Sequence, residues 1–91
     1  MKEYIEKVLY NASGFIIGQN SKNSFILGQD NQWVVLDSLD IKKIKNTLSL
    51  NKNKGVFDGF NFTGNQNTIT INQQGHTIVL DRSIFKNLQN K

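Results

Sequence analysis

The chain has 91 residues, neither cysteine nor proline, and a formal net charge of +4. That length supports one small domain with a thin core, so association with a second chain is within its means. A disulfide framework and a thiolate metal site are excluded, and the turns must be made by Gly, Asn and Asp, of which the chain carries 7 Gly and 13 Asn.

Ten Lys and one Arg against seven acids permit nucleic acid or another acidic surface as a partner, without demanding one. No stretch approaches the ~18 apolar residues of a membrane span. Met1–Tyr10 carries Glu3 and Glu6 and has no long apolar run, so no signal peptide is read and a cytoplasmic location is the expectation.

At the start of the chain, Tyr4, Ile5, Val8 and Leu9 fall at i, i+1, i+4 and i+5, with Lys2, Glu3, Glu6 and Lys7 opposite. This spacing favours a short N-terminal helix over residues 1–13, stopped by Asn11-Ala12-Ser13-Gly14, with a strand as the alternative because Tyr, Ile and Val also suit a sheet. Gly14–Gly18 reads as the first strand, with Phe15 and Ile17 on one face. Phe25–Gly28 and Trp33–Leu36 read as a hairpin closed at Asp30-Asn31, two residues that tolerate positive φ.

The hairpin recurs. Residues 23–37 align without a gap on residues 67–81, a shift of 44. Six of the 22 positions from Asn23 to Ile44 are identical in the two copies: Asn23/Asn67, Gln29/Gln73, Val35/Val79, Leu36/Leu80, Asp37/Asp81 and Lys42/Lys86. With a one-residue gap, Phe60 and Phe62 fall on Phe15 and Ile17. In the second copy the turn pair is Gln74-Gly75, where a four-residue loop is an alternative.

Residues directly opposite in an antiparallel pair share a side. With Gln29 opposite Gln32, Leu27 meets Val34 and Phe25 meets Leu36, leaving Ile26, Gly28, Trp33 and Val35 on the other side. The same register in the second copy puts Ile69, Ile71, Ile78 and Leu80 together, opposed by Thr70, Asn72, Thr77 and Val79. A one-residue slip destroys this separation, so the second copy fixes the buried side for both.

Asp37 and Asp81 stand where helix N-caps belong, with Ser38 and Ser83 as close alternatives. Ile41, Ile44 and Leu48 then make a buried stripe, as do Ile84, Phe85 and Leu88 in the second copy. Residues 51–55 form a polar connector, and Val56–Thr63 reads as the strand that follows. The predicted fold class is α+β: two tandem β-β-β-α repeats, residues 14–50 and 55–91, related by a pseudo-two-fold axis, with antiparallel sheet covered by helices on one face.

Trp33, flanked by Ile26 and Val35, lies on the side away from the helices. An aromatic side chain there is a stacking platform for an unpaired base, an anchor for a protein partner, or core covered by the other repeat. Lys42, Lys43, Lys45, Lys52 and Lys54 run with no acid between Asp40 and Asp58, and could follow a phosphate backbone or form a solvated helix face. Asp37 and Asp81 read as caps rather than a catalytic pair. His76 is the only histidine, so no metal site or cofactor is expected, and no catalytic order, phosphate loop or glycine fingerprint appears.

The parallel runs Thr77-Ile78-Val79-Leu80-Asp81-Arg82-Ser83-Ile84-Phe85-Lys86-Asn87-Leu88 and Val34-Val35-Leu36-Asp37-Ser38-Leu39-Asp40-Ile41-Lys42-Lys43-Ile44 carry an apolar strand, a polar pair and an apolar helix face. A meander closed by a helix, given twice, resembles the PUR-alpha and Whirly-type single-stranded nucleic-acid binders. Those families use four strands per repeat, where three are legible here. The resemblance implies ligand binding on the open sheet face, where Trp33 points. The leading expectation is therefore a non-enzymatic binder of single-stranded DNA or RNA, using that face and the lysines. The rival is a protein-binding inhibitor or adaptor of mobile-element or phage type. The third is a homo-oligomer, such as a homodimer, with the Trp33 face as the subunit interface.

Overall fold

The computed structural model describes residues 5–12 and 14–88. The first repeat is a four-stranded antiparallel meander, β1 (Lys7–Ala12), β2 (Phe15–Gln19), β3 (Phe25–Gln29) and β4 (Gln32–Leu36), followed by helix α1 (Ser38–Ser49). The second repeats the order: β5 (Lys54–Phe57), β6 (Phe60–Gly64), β7 (Thr68–Gln73), β8 (His76–Asp81) and α2 (Arg82–Lys86). Each repeat thus has four strands, one more than the sequence suggested.

Both additional strands correct an expectation. The segment predicted as the N-terminal helix is strand β1 where it is described, and Met1–Tyr4 lie outside the described residues. The reason is a bulge: Val8 pairs with Gly18 and Tyr10 with Ile17, which leaves Leu9 as an extra residue. A bulge breaks the two-residue alternation of a strand, and here the remaining apolar spacing imitates a helix. In the second repeat, Val56–Thr63 is not one strand. Asp58 and Gly59 turn the chain between β5 and β6, and Gly59 takes φ of 92°, a conformation glycine adopts without strain.

The two hairpins follow the expected register: Phe25↔Leu36 and Leu27↔Val34 in the first, Ile69↔Leu80 and Ile71↔Ile78 in the second. Both close in two-residue turns with positive φ throughout, 49° and 66° at Asp30 and Asn31, 50° and 83° at Gln74 and Gly75. The inward side chains of both sheets join Ile41 and Ile44 of α1, Phe85 of α2 and Leu88 beyond it in one buried cluster. Asp37 caps α1 in a reciprocal box. Its carboxylate accepts from the Asp40 N–H at 2.9 Å, and Asp40 accepts from the Asp37 N–H at 3.1 Å. Partial burial pushes the Asp40 carboxyl above its ordinary value, against the pull of that hydrogen bond. Asp81 occupies the N-cap of α2 without a side-chain bond to the helix. Neither described helix is long and apolar enough to cross a membrane.

Where the repeats meet, the outer strands β4 and β8 are closed by side chains from the opposite sheet. The Gln29 amide donates to Val79 O and accepts from Val79 N–H, both at 2.9 Å. The Gln73 amide does the same to Val35, both bonds at 2.8 Å. Gln32 accepts from the Thr77 N–H at 3.1 Å. Under the 44-residue shift, Gln29 becomes Gln73 and Val79 becomes Val35, so the two bridges are images of each other.

The Gln73 bridge is the more sheltered of the two. Truncating Gln73 to Ala leaves the Val35 N–H and C=O without partners and is expected to cost about 1–3 kcal/mol, with Gln29→Ala costing less. Urea denaturation of both variants checks the order; equal, negligible losses would show that the edges do not depend on these amides.

Candidate functional site

Two rows of side chains cross the outer face of the first sheet. The registers align Asn11, Ile16, Gly28 and Trp33 in one row, and Val8, Gly18, Ile26 and Val35 in the next. The second row is covered at its centre, over Gly18 and Ile26, while Val8 at its end is exposed. The Ile5 side chain lies 2.3 Å from where a Cβ on Gly18 would be, so only glycine admits it, and Ile26 is 5% exposed. The first row is open. It forms a groove of about 590 Å³ with Ile16 and Gly28 beneath it, Trp33 as one wall, and Asp30 and Asn31 at the rim. A Cβ on Gly28 would press on Ile16 Cγ2 at 3.1 Å, so the glycine keeps this floor low. Among the lining side chains only Asp30 carries a charge.

Trp33 stands at the seam between the repeats. One face of its ring stacks on the His76 ring, centroids 4.5 Å apart and planes at 27°. Trp33 is half-buried: neither the open platform nor the plain core residue of the simplest alternatives. In the sequence His76 stands as a solitary imidazole. It is instead the prop behind Trp33, and its Nδ1 is buried with no hydrogen-bond partner among the described residues.

The same row in the second repeat is built differently. Asn61, Asn72 and Thr77 replace Ile16, Gly28 and Trp33. They bond to one another: Asn72 Nδ2 donates to Asn61 Oδ1 at 3.0 Å, and Thr77 Oγ1 donates to Asn72 Oδ1 at 2.6 Å. The second sheet thus satisfies its own outer polar groups across three strands, while the first leaves an apolar trough.

The lysines do not join Trp33. Helix α1 packs its Ile41 and Ile44 against the inward side chains of the sheets, so Lys42 and Lys43 point to solvent on the helix side, opposite the groove. Lys52 and Lys54 are exposed where the chain leaves α1 and enters β5. Lys45 has a structural partner instead: its ammonium donates to Leu88 O at 2.5 Å and lies 6.0 Å from the Phe85 ring centre. It thereby satisfies carbonyls at the end of α2. Of the predicted residues, Trp33, Ile26 and Val35 share the outer face, and Trp33 and Ile26 line the groove while Val35 does not.

No protein-family model, curated protein or solved structure matches this chain.

Replacing His76 by Phe keeps a ring against Trp33 and removes the unpartnered nitrogen. Stability is expected to rise by about 1 kcal/mol or more. Thermal unfolding followed through Trp33 emission measures it, and a lowered midpoint would mean that Nδ1 has a partner.

Proposed function

We propose that the protein is a non-catalytic binding module that takes an extended segment of a partner protein in the groove beside Trp33, in the manner of an inhibitor or adaptor. One observation carries this reading: the trough is apolar, carries a single negative charge at Asp30, and is lined by no lysine. A polyanion needs cations along its path, and this groove offers none. An apolar floor with an amide rim instead suits a peptide whose side chain fills the space over Gly28 while its backbone meets Asn11 and Asn31. Trp33 is the anchor, and aromatic anchors of this kind dominate binding energy at protein interfaces.

Trp33 is the only tryptophan in the chain, so its emission reports on the groove directly. Immobilised chain is expected to retain a stoichiometric protein partner from nuclease-treated extract, and that purified partner to shift Trp33 emission. Trp33→Ala, checked for retained fold, is expected to weaken the complex by at least about thirtyfold, the ~2 kcal/mol scale of an interface hot spot. Retention unaffected by that change would place the partner elsewhere.

A second reading has its own support. Lys42, Lys43, Lys52 and Lys54 are exposed on α1 and its exit, and four strands per repeat agree with the single-stranded nucleic-acid binders that the sequence resembles. Such binding would use α1 and its exit into β5 and not Trp33. An electrophoretic titration with single strands tests it: retardation at low salt, weakened steeply at high salt and by changing these four lysines to Gln, favours it. No retardation at low salt ends it.

A further inference from the structure

The seam between the repeats is made twice from the same parts. Gln29 on Val79 and Gln73 on Val35 are equivalent under the 44-residue shift. So are the positions joined by Gln32 on Thr77 and by His76 on Trp33. Each of these contacts links one repeat to the other, and none requires the two repeats to belong to one chain. The first repeat of one copy therefore offers the second repeat of another copy the surface it already offers its own.

The connection that holds them together in one chain is short. Helix α1 ends at its cap, Leu50, and β5 begins at Lys54. Between them Asn51 takes φ of 63°, in the left-handed region, and its N–H bonds to Leu48 O at 3.0 Å. This is the only left-handed residue between α1 and β5. Left-handed backbone costs any residue other than glycine, though Asn bears it better than most. With the Lys52 N–H on Thr47 O at 3.3 Å, Asn51 closes the end of α1, so returning it to negative φ opens that turn and redirects the chain ahead of Asn53, whose carbonyl accepts from the Gly64 N–H at 2.7 Å.

We propose that the partner of the seam is a second copy of this chain: two copies exchange their second repeats about a hinge at Asn51 and form a closed two-fold dimer. Each seam is then rebuilt between chains, and one particle carries two Trp33 grooves. Exchange of an identical element is a low-cost route to a dimer because the contacts already exist. This inference does not depend on what the groove binds.

Asn51→Pro tests it. Proline holds φ near −65° and has no N–H to give Leu48 O, so the closed turn is lost. Light scattering behind size exclusion is expected to find wild-type chain mainly monomeric when refolded dilute and increasingly dimeric when refolded concentrated. Asn51→Pro is expected to raise the dimer fraction at least about tenfold at equal concentration, and Asn51→Gly to lower it. Deleting Lys52 and Asn53, which shortens the return path, is a second way to force exchange should the proline variant not fold.

Connectivity has a clean readout because the chain has no cysteine. Gln32→Cys with Thr77→Cys, bridged by a short bis-maleimide, is expected to give covalent dimers from the dimer fraction and linked monomers from the monomer fraction. A folded Asn51→Pro and a folded deletion variant that both stay monomeric at every concentration would overturn the proposal, as would dimers whose bridges lie within single chains.

Discussion

A glutamine side chain ends in a planar carboxamide, whose NH2 and C=O can pair with the C=O and N–H of a strand edge. Two such amides hold this molecule in its shape. Gln29 and Gln73 each pair with both backbone groups of one residue on the outer strand of the opposite sheet. An unpaired edge is a template for unwanted pairing, and here β4 and β8 are closed without another strand. The bridges also fix how the sheets face one another. Their inward residues meet in one cluster, which the helices complete.

With the seam and the core shared, the outer faces are free to differ. The second repeat spends its outer row on an internal amide and hydroxyl chain, Asn61 to Asn72 to Thr77. The first places Ile16, Gly28 and Trp33 at those positions and opens a groove. The core is thus shared by both repeats, while the open groove belongs to one. The seam takes part in that groove as well, since His76 reaches across from the second sheet to back the Trp33 ring.

Much of the scaffold was legible in the chain. The hairpin registers, the buried side and the Asp37 cap all follow from two-residue alternation in Ile69–Leu80 and from the copy relation. What escaped had physical causes. The bulge at Leu9 tips the apolar spacing of β1 toward that of a helix, and apolar residues on both sides mask the Asp58-Gly59 turn. The Gln29/Gln73 and Val35/Val79 identities were visible, but their meaning was not. A hydrogen bond between residues 50 apart, as from Gln29 to Val79, leaves no periodic trace. Asn20 and Asn65 are a similar case. Each accepts two backbone N–H groups of the turn that follows it, an equivalence that only the one-residue gap reveals. The separation of Trp33 from the lysines could not be read either, because the tilt of a helix across a sheet is set by packing and not by spacing.

Amide hydrogen exchange at Val35 and Val79 tests the central claim most directly. Both N–H groups lie on the outer edge of a sheet, where exchange is ordinarily fast, and the glutamine bridges require them to be protected like amides inside the sheets. Slow exchange at both, with fast exchange at the outward amides of β1 and β5, is the expected result. Exchange at Val35 and Val79 as fast as at those unbridged edges would contradict it.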